Sequence, residues 1–310
     1  RDGFVFRRAA GGGPDLECEL AGDEAFLRDH CQVLPGVTYL ELFRAAAATL
    51  APSRRVASVR NVTWMRVMHI PAGVAATVRI AIQKRGADRV DMAVYLAGED
   101  AGAGSSSAGT PFATAQVYYG QPALKPHVVP EQEFLRGLDG GATAVEDYRR
   151  LLSDNGVGVG PTFRGVRRIH CDANRALGEL GLAEHAEGLG RFKIPPSLVD
   201  GGFSGIGAWI CNVRPEDRGL YLPFSIGRME LYDLSEPPHT VRIVRAHDAS
   251  ANDVQTAGYE LTYLSEAGDV VIHIENMFLR RLEGDADSAT DDSQVVGLTE
   301  TWCETDRAPA

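Results

Sequence analysis

One histidine and one aspartate lie near the openings of two apolar segments, where they could support acid–base chemistry. His30 lies just ahead of the apolar segment 34–50, and Asp200 lies in the early turns of a second apolar segment, 194–210. Backbone N–H groups at the start of a helix lack intrahelical partners, so they can hold a developing negative charge. The N–H of Gly36 therefore joins the imidazole and the carboxyl group in the candidate site.

Both segments are predicted to be buried helices. In the first segment, Pro35 precedes good helix formers, and apolar residues occupy almost every face from Val37 to Leu50. The second segment, 195–210, also opens on prolines and then turns apolar. Because a helix that is apolar all round must be enclosed, the rest of the chain is predicted to pack around these two.

Short segments with alternating or clustered apolar residues predict strands in both halves of the chain. In the first half they are 3–7, 16–20, 56–67, 74–82, 90–96 and 112–119, with a turn at 11–14 and a low-complexity loop at 98–109. In the second half, a helix at 145–152 is followed by strands at 163–171, 176–182, 219–224, 228–233, 240–247, 256–264 and 270–279. The order of elements repeats between the halves, with no recognisable sequence identity between them.

Composition indicates a globular protein with a large core, because 44% of the 310 residues are apolar. The net charge of −11 and the absence of a basic stripe argue against nucleic acid as a partner. Five scattered cysteines without a CxxC pair fit a reducing cytoplasm, and the histidines show no spacing typical of a metal site. No apolar run reaches the roughly 20 residues that span a bilayer, so no membrane association is expected. The first residue is arginine, which suggests a piece of a longer chain.

Four motifs together resemble the dehydratase domains of modular and iterative type I polyketide synthases, over residues 1–282. They are Asp29-His30 ahead of Leu34-Pro-Gly36, the glycine-rich segment 156–165, the helix start from Pro196 to Asp200, and Leu222-Pro-Phe-Ser225. The resemblance implies an α+β double hotdog, in which two strand-wrapped central helices form one pseudo-dimeric domain. It assigns an N-terminal hotdog to residues 1–120, a linker to 121–140, a C-terminal hotdog to 141–282, and an acidic tail or linker to 283–310.

The resemblance also implies a reaction, the removal of water from a β-hydroxyacyl thioester to give an α,β-unsaturated thioester. His30 is then the base for the α-proton, the Gly36 N–H polarises the carbonyl, and Asp200 protonates the departing hydroxyl. An apolar tunnel raises the pKa of a carboxyl group, which suits Asp200 to act as an acid. No metal or organic cofactor is implied, since the substrate is carried on the phosphopantetheine of an acyl carrier protein.

Further substrate-binding residues follow from the matched motifs, and partners follow from the family. The other partners implied are neighbouring synthase domains and a second copy of the chain in a homodimer. The residues predicted to bind substrate are Gly36, Val159, Gly160, Pro161, Phe163, Ser204, Leu222 and Pro223.

Three departures from the family pattern leave other functions open. Four residues fewer than usual separate His30 from Pro35, which indicates either omitted residues or an imidazole outside its usual position. Val159 replaces a tyrosine, and Ser204 replaces the glutamine or histidine that usually follows the aspartate. The alternatives are a double-bond isomerase, a pyran-forming cyclase of the same fold, and a catalytically silent structural hotdog domain.

Overall fold

The computed structural model describes residues 3–10, 13–98, 109–138, 140–141, 143–155, 157–182, 191–246 and 258–282. Both apolar segments are long helices, as predicted. Proline stands at the start of each, where a missing N–H removes no helical hydrogen bond. The helices are α1 (Ala25–Arg28), α2 (Gly36–Leu50), α3 (Glu131–Phe134), α4 (Ala144–Asp154) and α5 (Pro196–Val213).

Twelve strands form one antiparallel sheet in the described part of the chain. In the first half they are β1 (Arg7–Arg8), β2 (Leu16–Ala21), β3 (Val56–Trp64), β4 (Ala75–Arg85), β5 (Arg89–Leu96) and β6 (Ala113–Tyr119). In the second half they are β7 (Val166–Cys171), β8 (Arg175–Leu180), β9 (Leu220–Leu231), β10 (Thr240–Arg245), β11 (Gly258–Leu264) and β12 (Val270–Leu282). The order across the sheet is β1-β2-β4-β5-β6-β3-β9-β12-β11-β10-β8-β7.

The two halves join edge to edge through β3 and β9. These strands pair antiparallel, with Val59 opposite Met229 and Thr63 opposite Ser225. Each half therefore contributes six neighbouring strands, and the junction removes two edges that would otherwise leave backbone groups unpaired.

Each long helix packs against the strands of its own half, and the two helices also contact each other. Helix α2 packs on β3 and β6, and α5 packs on β7, β8 and β10. In α2 the side chains of Leu40 and Phe43 are completely buried. Gly202 in α5 permits close packing, because a Cβ there would lie 2.2 Å from the Tyr263 hydroxyl. The sheet and the two helices thus form the shared core that the sequence predicted.

Several predicted strand boundaries are wrong. The predicted strands 219–224 and 228–233 are a single strand, β9, because a register shift opposite Phe278 and Leu279 accommodates Pro223 within it. Phe163 lies in a 3₁₀ turn rather than a strand, because Pro161 favours a helical turn there. At the N-terminus only Arg7–Arg8 pairs with β2, while Phe4 lies in the core without joining the sheet.

The remaining differences concern the linker and segments outside the described residues. The predicted linker 121–140 contains the short helix α3, whose Phe134 packs with Leu177 of β8. The loop from 99 to 108 and the tail from 283 to 310 lie outside the described residues. The domain boundaries remain predictions. Within the described part of the chain, no helix is long and apolar enough to cross a membrane.

Candidate functional site

A cavity of about 150 Å³ brings both helices to one site. Residues of α2 and α5 line it together with the end of α4 and the start of β9. Its wall includes His30 and Asp200, which are 170 positions apart in the chain. The structure therefore places the two predicted catalytic side chains in the same largely apolar cavity.

His30 lies in a tight turn between α1 and α2. Cys31 and Gln32 both adopt left-handed backbone conformations, with φ angles of 51° and 62°. Two successive left-handed residues reverse the chain within few positions, which accounts for how a short loop delivers the imidazole to the cavity.

The second half of the chain holds this turn from the side. The Asp29 carboxylate accepts hydrogen bonds from the backbone N–H of Thr162, at 3.0 Å, and from its hydroxyl. The Gly160 N–H donates to the Asp29 carbonyl at 2.8 Å, and the Cys31 thiol donates to the Gly158 carbonyl at 3.2 Å. A Cβ on Gly160 would lie 2.7 Å from that of Asp29, so glycine permits this approach. Contacts between the halves therefore fix the position of His30.

A backbone hydrogen bond fixes the tautomer of the His30 imidazole. Its Nδ1 lies 3.0 Å from the Val33 carbonyl oxygen, and because a carbonyl can only accept, Nδ1 carries the hydrogen. The neutral ring then presents Nε2 as its proton-accepting nitrogen. Burial lowers the pKa of His30 to about 4, partly opposed by the backbone hydrogen bond, so the ring is neutral at pH 7.

The pKa of Asp200 is shifted in the opposite direction to that of His30. Burial raises the pKa of its carboxyl group to about 7, and the hydrogen bond from the Ser204 hydroxyl to Oδ2, at 3.2 Å, opposes this rise. Ser204 lies one helical turn further along α5, where i and i+4 side chains meet. About half of the Asp200 side chains therefore carry a proton near neutrality. The site combines a neutral base with an available acid.

Gly36, the first residue of α2, also lines the cavity. The N–H at this position has no intrahelical acceptor, and the positive end of the helix dipole adds to its attraction for negative charge. The indole N–H of Trp64 donates to the Gly36 carbonyl at 3.0 Å and so fixes the orientation of this turn.

A buried carboxylate ties α2 to the start of α5. Glu41 is completely buried and accepts hydrogen bonds from Arg44 at 2.7 Å and from the backbone N–H groups of Lys193 and Ile194, at 3.2 and 3.0 Å. Ile194 immediately precedes the prolines that open α5, the helix carrying Asp200. Glu41 thus helps to position the acid relative to the helix that starts at Gly36.

The predicted substrate-binding residues divide into two groups. Those that line the cavity are Gly36, Val159, Ser204, Leu222 and Pro223. Gly160, Pro161 and Phe163 are not among its lining residues. They lie beside the His30 turn instead, where Gly160 contacts Asp29 and the ring centroid of Phe163 is 5.2 Å from that of His30.

Several lining residues were not predicted from the sequence. They include Tyr39, Trp64, Arg66, Tyr148 and Tyr221. Tyr39 could have been found, since it follows Gly36 by three residues and so shares its helix face. Glu41 could also have been found, as a charged residue inside an apolar helix. Tyr148 and Tyr221 gave no such signal, because only the fold brings their segments to the cavity.

Family models match most of the chain. The model described as "Polyketide synthase dehydratase N-terminal domain" matches residues 126–289, more than half of the chain, and that described as "Polyketide synthase dehydratase domain" matches residues 5–97. Among curated proteins, polyketide synthase PksN of Bacillus subtilis (strain 168) is 26% identical over 295 residues, which are 92% of this chain. The chain spans only 5% of the length of PksN.

Solved structures with similar folds include several dehydratase domains. A trans-AT PKS dehydratase domain from Brevibacillus brevis aligns with a TM-score of 0.75 and 17% identity, over 87% of this chain and 94% of the other. The H→F inactive mutant of CurK dehydratase aligns with a TM-score of 0.73 and 18% identity, over 91% of this chain and 98% of the other. A D→N inactive mutant of CurK dehydratase aligns with a TM-score of 0.72 and 17% identity, over 89% of this chain and 96% of the other. A pyran synthase domain of the sorangicin pathway aligns with a TM-score of 0.71 and 19% identity, over 91% of this chain and 99% of the other.

These likenesses agree with the architecture described above, a double hotdog with two strand-wrapped helices in one sheet. The family models cover both halves, including the segments that carry His30 and Asp200. The chain therefore belongs to the polyketide synthase dehydratase family.

Proposed function

We propose that this domain dehydrates a β-hydroxyacyl thioester carried on an acyl carrier protein, giving an α,β-unsaturated thioester. The observation that carries the proposal is one apolar cavity lined by a neutral imidazole, a carboxyl group with its pKa raised to about 7, and the first residue of a helix. Elimination of water requires a base, an acid and a donor for the carbonyl oxygen, and these three groups match those requirements.

In the proposed reaction His30 acts first. Nε2 removes the α-proton, and the electrons of the broken Cα–H bond move toward the thioester, where negative charge develops on the carbonyl oxygen beside the Gly36 N–H. The electrons then form the Cα=Cβ bond as the Cβ–O bond breaks, and Asp200 protonates the departing hydroxyl, which leaves as water. The proton held by His30 returns to Asp200 through solvent before the next turnover.

Two similar structures support the assignment of a histidine and an aspartate to catalysis. In CurK dehydratase, one mutant that replaces a histidine by phenylalanine and another that replaces an aspartate by asparagine are both inactive. By analogy, we assign the base to His30 and the acid to Asp200, with Val159, Ser204, Leu222 and Pro223 along the acyl chain. Gly160, Pro161 and Phe163 support the His30 turn in this proposal.

We further propose that the domain works inside a cytoplasmic polyketide synthase, as a homodimer, next to other synthase domains. PksN, of which this chain spans 5%, is a polyketide synthase, which supports a multidomain setting. The phosphopantetheine arm belongs to the acyl carrier protein, and His30, Gly36 and Asp200 supply the proton transfers and the charge stabilisation. The proposed chemistry therefore needs no metal or organic cofactor, and dialysis against EDTA is expected to leave the rate unchanged.

The test is the mass of the acyl group on a β-hydroxyacyl carrier protein after incubation with the domain. Loss of one water is expected, whereas an isomeric product of unchanged mass would favour the isomerase or cyclase, and unchanged substrate would favour a silent domain. His30→Gln and Asp200→Asn are expected to abolish turnover. His170→Gln is the matched control, because His170 pairs with Glu179 on the sheet and does not line the cavity.

A further inference from the structure

Tyr39 has a buried hydroxyl that no other group in the described part of the chain satisfies. The residue is 2% exposed, lines the cavity, and its hydroxyl has no hydrogen-bond partner. Other buried tyrosines behave differently. The Tyr119 hydroxyl donates to the Ala47 carbonyl at 3.0 Å, and that of Tyr263 donates to the Val199 carbonyl at 2.7 Å. Buried polar groups are nearly always paired, so an unpaired one at a cavity indicates a partner from outside the chain.

The position of Tyr39 in α2 relates this hydroxyl to the proposed carbonyl site. Tyr39 follows Gly36 by three residues, so both lie on one face of the helix. Long side chains in helices lean toward the N-terminus, which directs the phenol back over the first turn. Gly36 has no side chain to block this space, and the Trp64 ring, 3.4 Å from where its Cβ would be, closes the other side.

The Tyr39 phenol is chemically suited to donate a hydrogen bond. Burial raises its pKa, and the charge of Arg66, another cavity-lining residue, only partly opposes this effect. The hydroxyl therefore keeps its proton at neutral pH. A fixed donor in an enclosed site stabilises developing negative charge more strongly than water does, because it does not reorient during the reaction.

We propose that the Tyr39 hydroxyl donates a hydrogen bond to the thioester carbonyl oxygen of the substrate, beside the Gly36 N–H. The inference rests on the proposed function and adds a second donor to the site of developing charge. Tyr39 touches the substrate but neither gains nor loses a proton. Substrates with a carbonyl at this position satisfy the hydroxyl, whereas a thioether analogue without the carbonyl leaves it unpaired.

The experiment compares Tyr39→Phe with Tyr119→Phe in the dehydration assay and in thermal unfolding. Tyr39→Phe is expected to lower kcat about 100-fold with little change in KM, which is typical of a lost oxyanion donor. Its melting temperature is expected to equal or exceed that of the wild type, because the variant removes an unpaired buried hydroxyl. Tyr119→Phe should show the reverse, a lower melting temperature with wild-type turnover, because it removes the buried hydrogen bond from the Tyr119 hydroxyl to the Ala47 carbonyl and does not alter the cavity lining.

The outcomes separate this inference from the proposed function. If the wild type does not release water from the substrate, the proposed function itself fails. If the wild type is active and Tyr39→Phe retains its kcat, the hydroxyl does not contact the carbonyl. A joint loss of kcat and melting temperature in Tyr39→Phe would also overturn the inference, because it would indicate a structural role.

Discussion

Replacing Asp200 by asparagine should stabilise the folded protein at high pH, although the proposed mechanism predicts that it abolishes turnover. The folded state holds the Asp200 proton more tightly than the unfolded chain does, because burial raises the pKa from 3.8 to about 7. Asp200 therefore contributes stability at low pH, and this contribution is lost as the pH rises through 7. Asparagine keeps the shape of the side chain and has no carboxyl group to ionise.

The pKa difference sets the size of the effect. A shift of about three units corresponds to about 4 kcal/mol of stability across the whole window. At pH 5.5 about 2 kcal/mol of this remains, and at pH 8.5 almost none remains. Between these two pH values, the free energy of unfolding of the wild type should fall by about 2 kcal/mol relative to Asp200→Asn.

Urea denaturation at pH 5.5 and at pH 8.5 measures this difference directly. Other titrating groups are common to both proteins, so they cancel in the comparison, provided that the m-values agree. The matched control is Asp154→Asn, which makes the same substitution at an exposed carboxyl at the end of α4, outside the cavity. If Asp200→Asn behaves like this control, the carboxyl group does not have the raised pKa on which its role as an acid depends.

Three further predictions concern the site and the contacts behind it. The pH profile of kcat/KM should be flat from about pH 5.5 to 7 and fall tenfold per unit above 7, because Asp200 must be protonated and His30, with its pKa of about 4, is already neutral. Glu41→Ala should lower the free energy of unfolding by about 3–5 kcal/mol, since it leaves a partly buried arginine without its partner, whereas Glu146→Ala should cost under about 1 kcal/mol at an exposed pair. Gly160→Ala should cost about 1–3 kcal/mol and reduce turnover, because its methyl group collides with the residue that precedes His30.

Each of these has an outcome that contradicts it. If kcat/KM rises above pH 7, the group that titrates near pH 7 acts as a base rather than as an acid. Equal urea midpoints for the two glutamate variants would mean that the buried carboxylate does not tie the helices together. Gly13→Ala is the control for the glycine variant, because nothing lies within 4 Å of its added methyl group. If Gly160→Ala and Gly13→Ala have the same free energy of unfolding, Gly160 does not lie in tight contact with Asp29.

Local sequence signals predicted the three long helices α2, α4 and α5 and most strands, since their patterns need no information from distant residues, whereas the four-residue helices α1 and α3 were not predicted. Prolines and apolar faces located α2 and α5, and alternation located β5 and β6. Boundaries failed where a distant partner decides them. The bulge that keeps Pro223 inside β9 depends on the register with β12, and no local pattern records that register.

In the candidate site, too, local features could be predicted from the sequence and features set by distant contacts could not. Types and positions of residues pointed to His30, Gly36 and Asp200, because helix openings in apolar segments can be read from the sequence. The short loop argued against a usual position for the imidazole. Left-handed residues at 31 and 32 and the hydrogen bonds that Thr162 donates to the Asp29 carboxylate bring the imidazole to the cavity, and these hydrogen bonds depend on contacts between the halves.

The proposed reaction requires His30 and Asp200 to act on one substrate in one cavity, and the rate of a single turnover in a double-mutant cycle tests this requirement. The four proteins are the wild type, His30→Gln, Asp200→Asn and the double variant, each assayed on the same β-hydroxyacyl carrier protein. Groups that act as a unit have strongly non-additive effects, so the double variant should be about as slow as either single variant. If the fold-loss of the double variant equals the product of the two single fold-losses, the two residues act independently and the proposed shared site is wrong.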